Sequence, residues 1–316
     1  MTKHFSIQVA IVVLTLAVGG ASAQQVSRPD STRATQPAFA TGKGPVVAID
    51  EAHQNTHTIG SAQFRGFGEL LQRDGYRVRS LTESIAGASL TGIDVLVVSG
   101  PGGWAGPDAS LSDGEVAALI QWIRDGGALL LILDHMPAPR NGARLAAAVG
   151  VSSWHDGYTL VEMRDSLPVG PILFWRADSF PAGLPAVGPT GPAGGMGYQG
   201  TDAVLAKHPI TEGRNANERV QKVATFVGSA FQLPSRGEAL LTLPERAISF
   251  TPKSPGPDVT VDAERTPVGR WLQGAVMKLG KGRVAVFGEA GLFSGGPAAD
   301  NRLFVLNVLR WLSGVL

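Results

Sequence analysis

The 316-residue chain contains no cysteine. It therefore forms no disulfide, offers no thiolate to a metal and has no cysteine nucleophile. A lipoprotein anchor is excluded on the same ground, and stability must come from packing. Charge is sparse too: 17% of residues are Asp, Glu, Lys or Arg, against about 25% in an ordinary domain. The 27 basic and 26 acidic residues nearly cancel, and no basic block stands out. That balance argues against a nucleic-acid partner and against an anionic membrane surface. Neither the Gly-x-Ser-x-Gly elbow nor His-Glu-x-x-His occurs. No repeat of fixed period is visible.

One long apolar run is present, Phe5–Val18, interrupted by Ser6, Gln8 and Thr15. It is shorter than the roughly 20 residues of a membrane span. Lys3 and His4 precede it, and Gly19, Gly20 and Ala21-Ser22-Ala23 follow. This is the pattern of a cleaved export signal. We therefore expect residues 1–23 to be a signal peptide and the protein to be periplasmic or extracellular, with no span left after cleavage. Residues 24–44, rich in Ser, Thr, Gln, Pro and Ala, read as a disordered linker. Residues 45–316 read as a single α/β domain with loop insertions near 178–200 and 252–268.

Within that domain, Val46–Ile49, Ile93–Ser99 and Ala128–Leu133 are continuous apolar runs, as expected of strands covered on both faces. Residues 62–73 place Phe64, Phe67, Leu70 and Leu71 at helical spacing. Ser112 and Glu115 form a capping box that opens a helix to Arg124. A hairpin is expected at Gly280-Lys281-Gly282, and a closing helix over residues 300–312. Alternation of this kind predicts a doubly wound, mostly parallel sheet with helices on both faces, plus β-rich insertions.

The first strand ends abruptly in Asp50, Glu51, His53, Asn55 and His57, in a chain with only six histidines. Ile93–Ser99 runs into Gly100-Pro101-Gly102-Gly103-Trp104, Ala128–Leu133 into Asp134-His135, and a late strand into Gly288-Glu289. If these strands are parallel neighbours, their loops gather on one edge, where ligands of open α/β sheets bind. Several chemistries suit these residues. His53 and His57, four apart, with Asp134 and His135 or Glu51, suggest an open zinc-type site and a metal-assisted hydrolase. Glu51 and Glu289 suggest a general acid and base. The plainer alternatives are that Glu51 accepts backbone amides and that the histidines bond to loops. Gly100–Gly103 follows neither the dinucleotide nor the P-loop pattern and reads as a structural turn. Ser99, Ser229 and Ser294 have no nucleophile motif around them. His208, before Pro209, is expected to fix a loop. Trp104 and Trp154 are candidates to line a pocket.

The order of motifs resembles the class I glutamine-amidotransferase-like superfamily. Asp50-Glu51-x-His53-x-Asn55 comes first, then Asp74-Gly75-Tyr76-x-Val78 and Asp94-Val95-Leu96-Val97-Val98. Leu111-Ser112-x-x-Glu115 and Asp125-Gly126-Gly127 follow, the latter running to Asp134-His135. Within the superfamily the chain looks like exported accessory domains of the gliding-motility and ABC-transporter type. His208-Pro209-Ile210-Thr211 and the ending from Gly288-Glu289 to Leu312 also fit. The resemblance implies a flavodoxin-like three-layer α/β/α sandwich. Its members with glutaminase activity carry a cysteine after a central strand; here that strand runs into Asp134-His135. The trehalose-utilisation-like branch also lacks the cysteine, which suggests a sugar-related ligand. The expectation is therefore an exported, non-glutaminase domain that binds a small polar ligand. The binding residues would be Asp50, Glu51, His53, Asn55, His57, Gly102, Trp104, Asp134, His135 and Glu289. The alternatives are the hydrolase, with a divalent metal such as zinc on His53, His57, Asp134 and His135, and a structural or interaction domain serving an envelope or transporter partner.

Overall fold

The computed structural model describes residues 36–162, 171–189, 196–253, 258–294 and 299–316. The expected signal peptide lies outside them. Four strands and three helices build the first half: β1 (Val46–Asp50), α1 (Arg65–Arg73), β2 (Arg77–Leu81), β3 (Val95–Ser99), α2 (Asp113–Asp125), β4 (Ala128–Ile132) and α3 (Ala138–Ala148). β1, β3 and β4 are buried at every position. Strand side chains alternate between faces. Val47, Ile49, Val95, Val97, Leu130 and Ile132 accordingly share one core with Phe64, Phe67 and Leu71 around α1 and with Phe304 and Leu309 near the C-terminus. Ala48, Leu96, Val98, Leu129 and Leu131 share another with Leu119 and Ile123 of α2 and Leu145 of α3. Each such Leu or Phe contributes about 1.5–3 kcal/mol by leaving water.

The strands run β2-β1-β3-β4 and then Gly282–Phe287, all parallel. The chain order changes direction between β1 and β3, the position at which doubly wound sheets take ligands. Beyond Gly282–Phe287 the expected pattern fails. Leu272–Leu279 folds back antiparallel on it, and antiparallel pairing continues to Gly237–Thr242 and Val204–Leu205. Among the described residues the main sheet has 14 strands and is mixed, partly antiparallel where a mostly parallel one was expected. The reversal follows from the expected hairpin. Gly280 has φ +63, and a Cβ there would meet the Arg124 carbonyl oxygen at 2.6 Å, so only glycine fits.

The expected loop insertions contain strands. Ala247–Pro252 and Ala263–Pro267 pair antiparallel, and Tyr158–Val161 joins them in a second, three-stranded sheet. Val187–Pro189 pairs with Met196–Tyr198. Within residues 36–44, read as linker, Ala38 and Phe39 are docked on the domain. The Ala38 amide donates to Asp74 Oδ1 at 3.0 Å, and Phe39 meets Tyr76 edge-on at 5.1 Å. Asp74 is held in turn by Arg310 through bonds of 2.6 and 2.9 Å. Arg310 also reaches Glu218 at 3.2 Å and the Gln36 carbonyl at 3.2 Å. This buried network ties the closing helix Asn301–Leu312 to the end where β1 and β2 begin. No helix among the described residues is long and apolar enough to cross a membrane.

Candidate functional site

The loop after β1 divides into two parts with different partners. In the first, His53 Nδ1 lies 2.9 Å from both Asp50 oxygens, and Nε2 lies 2.9 Å from Glu115 Oε1. Burial opposes a charge on this ring, but the two carboxylates outweigh it and raise the pKa to about 9. Burial likewise works against ionised Glu115, but the Ser112 hydroxyl and amide, with His53, bring its pKa down to about 2. Asn55 closes the network. Its Nδ2 donates to Asp50 Oδ2 at 3.0 Å, and its Oδ1 accepts the His53 amide at 3.1 Å. The expected capping box is present, and its Glu115 carries a second duty the sequence did not disclose. It clamps the first-strand loop and accepts the Ile85 amide at 3.1 Å. Asp50, His53 and Asn55 are thus a closed structural unit.

His57 turns elsewhere. Its Nδ1 sits 2.9 Å from Ser99 Oγ at the end of β3, and its ring stacks on Phe64 at 5.0 Å. Burial lowers its pKa to about 4, although Asp134 pulls the other way. Asp134, just past β4, is buried and accepts the His135 amide at 2.8 Å. His135 stacks on Tyr158 at 4.5 Å, and both rings are partly exposed. Burial, then Asp134 and Asp156, raise the Tyr158 pKa.

Glu289 follows the strand Gly282–Phe287 and is buried. Its Oε2 accepts the Phe226 amide and its Oε1 the Gly291 amide, each at 2.7 Å. Burial, reinforced by nearby Asp134, raises its pKa to about 8. Burial thus favours the uncharged form of both Glu289 and His57. The ends of β1, β3, β4 and Gly282–Phe287 thus bring His57, Ser99, Asp134, His135 and Glu289 into one electrostatic neighbourhood. Tyr158, from the second sheet, completes it. Sequence reasoning missed Tyr158 because it lies in a region of short, irregular strands.

The remaining expected residues are placed as follows. Glu51 Oε1 accepts the Ile59 amide at 2.7 Å, the plainer of its two readings. The Gly102 amide donates to the His53 carbonyl at 2.7 Å, and Asn141 Nδ2 donates to the Gly103 carbonyl at 2.8 Å. Backbone groups of this loop are therefore spent on bracing it. Trp104 at its tip is 82% exposed and lines no enclosed wall. Trp154 donates to Ser229 Oγ at 2.7 Å and packs on Phe231. His208 accepts the Ile210 amide and caps the turn Pro209–Glu212.

The residues present do not fit the expected zinc site. Among the described residues, no group of three or more His, Asp or Glu stands together as a metal would need. His53 is enclosed by Asp50 and Glu115, while His57 packs on Ser99 and Phe64. The two imidazoles are four residues apart in sequence, but no helix carries them on one face.

No family model matches the chain, and no curated protein matches it. Solved structures do. The N-terminal domain of mmIFT52 is similar with a TM-score of 0.56 and 15% identity, over 84% of this chain and 97% of that one. A ThuA-like protein from Bacteroides uniformis scores 0.46 at 13% identity, over 90% and 95%. A second ThuA-like protein, from Parabacteroides merdae, scores 0.42 at 10% identity, over 85% and 89%. None of the three is named as a gliding-motility or transporter accessory domain. The likeness to the mmIFT52 domain is one of fold alone.

Proposed function

We propose that this chain is an exported domain of amidotransferase-like fold, without thiolate glutaminase chemistry, that binds a small polar ligand at the carboxyl edge of its parallel strands. One observation carries the reading. Two buried carboxyl groups, Asp134 and Glu289, lie in one neighbourhood with His57, His135 and Tyr158 at the strand ends. Perturbed titratable groups of this kind gather at functional sites. Asp134 offers an acceptor, and the stacked, partly exposed His135 and Tyr158 rings a partly apolar rim. That set suits a hydroxylated ligand such as a sugar. Exposed Trp104, on its braced loop, adds a ring face near the same edge.

The test is calorimetry and thermal unfolding with neutral hexoses, disaccharides and polyols. Binding is expected to raise the unfolding temperature, and His135→Ala to weaken it about tenfold or more. A flat response to the whole panel would remove the reading. Export is tested separately. A periplasmic fraction should yield a protein whose intact mass starts at Gln24.

A further inference from the structure

A cavity of about 300 Å³ is lined by residues 148–150, 234–236 and 277–279. Pockets for small ligands begin at about this volume. Leu279 pairs with Gly282, and Arg283 with Ala128 of β4. The cavity therefore lies where the parallel strands begin, at the opposite end from Asp134 and Glu289.

Backbone bonds fix all three walls. α3 ends in a Schellman turn: the Gly150 amide donates to the Ala147 carbonyl at 3.0 Å, and the Val151 amide to the Ala146 carbonyl at 2.9 Å. The turn from Pro234 to Gly237 is closed by the Gly237 amide on the Pro234 carbonyl at 2.9 Å. Gly237 pairs in turn with Met277 on the strand Leu272–Leu279. The cavity is thus formed before any ligand arrives.

Its lining combines two chemistries. Val149, Pro234 and Met277 are buried and apolar, and Leu279 is partly buried. Leu233, next to Pro234 in sequence, is 52% exposed. Arg236 and Lys278 line the same space, both are exposed, and no Asp or Glu lines it. Among the described residues no acid pairs with either cation. Elsewhere Arg176, Arg214, Arg219 and Arg310 each hold a carboxylate of the chain itself.

We propose that this cavity binds a small free aliphatic carboxylate, its chain against Val149, Met277 and Leu279 and its carboxylate on Arg236. The planar guanidinium fits a carboxylate through two parallel N–H bonds, and Lys278 adds positive charge. The last carbonyls of α3 carry partial negative charge, so the aliphatic chain belongs beside α3 and the carboxylate at the turn. An inorganic anion would leave the apolar wall uncovered, and an amine would meet two like charges. The site is independent of the ligand read at the other end of the strands.

The test is isothermal calorimetry and thermal unfolding of the purified protein with octanoate, acetate, 1-octanol and octylamine. Octanoate is expected to bind and to raise the unfolding temperature. The other three should each bind about tenfold or more weakly, because each lacks either the chain or the negative charge. Arg236→Gln should weaken octanoate about tenfold. Ala148→Trp, which fills the cavity from an exposed helix position, should abolish its binding. Both positions are exposed, so both variants are expected to fold. Octanoate binding no better than acetate would reduce the site to diffuse charge attraction and overturn the proposal. Octylamine binding as well as octanoate would reduce it to apolar contact, with the same result. Octanoate binding that either variant leaves unchanged, or no response to octanoate, would overturn it too and leave Arg236 as a complement to the α3 C-terminus.

Discussion

Two pairs of buried carboxyl groups at opposite ends of the parallel strands are satisfied in different ways. Where β1 and β2 begin, Asp74 and Glu218 are held by Arg310 and Arg214, and the fork of Arg310 meets both oxygens of Asp74. Where β4 and Gly282–Phe287 end, buried Asp134 accepts the His135 amide and buried Glu289 the amides of Phe226 and Gly291. The first arrangement is complete and fastens the chain to itself. The second pairs acid with amide instead of guanidinium, and burial raises the Glu289 pKa.

Breaking the complete end should have the largest effect. Arg310→Met leaves Asp74 and Glu218 short of a counter-charge. Loss of one partner of a buried pair costs about 3–5 kcal/mol. Urea unfolding should show the midpoint fall while the slope holds.

The half of the first-strand loop that is paired should respond next. His53→Ala removes bonds to two carboxylates, each worth about 1.5–3 kcal/mol when charged. The folded pKa of His53, about 9, lies above its ordinary 6.5. Its contribution is therefore full below pH 6.5 and fades as pH rises through 9. Imidazole NMR sharpens the contrast within one loop. His53 should titrate near 9 and His57 near 4. Midpoints near 6.5 for both would erase it.

At the strand ends beyond β4 stability also falls as pH rises, here because burial penalises the charged carboxylate. Glu289 has a folded pKa of about 8 against an ordinary 4.5. Its stability contribution is full below 4.5 and is lost as pH rises through 8. Glu289→Gln should therefore gain on the parent protein between pH 5 and 8, as read by urea midpoints. A parallel pair of pH curves would contradict a raised folded pKa for Glu289. The smallest effect belongs to Trp104→Ala, which should change stability by no more than about 0.5 kcal/mol. Exposed Trp104 should matter in binding alone.

The parallel half was legible because buried strands write themselves as apolar runs, and because Ser112 and Glu115 declare a helix start. The antiparallel half was not. Short strands such as Val204–Leu205 and Ala230–Phe231 leave no period to read, and their pairing depends on contacts far away in sequence. The site was legible as a place, since each strand end was marked by polar residues. Its division was hidden. Nothing in Asp50–His57 shows that Glu115, 62 residues beyond His53, encloses one imidazole while Ser99 and Phe64 take the other.

Glu115 has a consequence for anyone who would re-engineer this edge. One of its oxygens serves Ser112 at the start of α2, and the other serves both His53 and Ile85. Three separate stretches of chain therefore meet at a single carboxylate. A loop transplanted from another protein in place of Asp50–His57 would arrive without its keystone's counterpart. The graft would need a new imidazole for Glu115 or a new residue in place of Glu115.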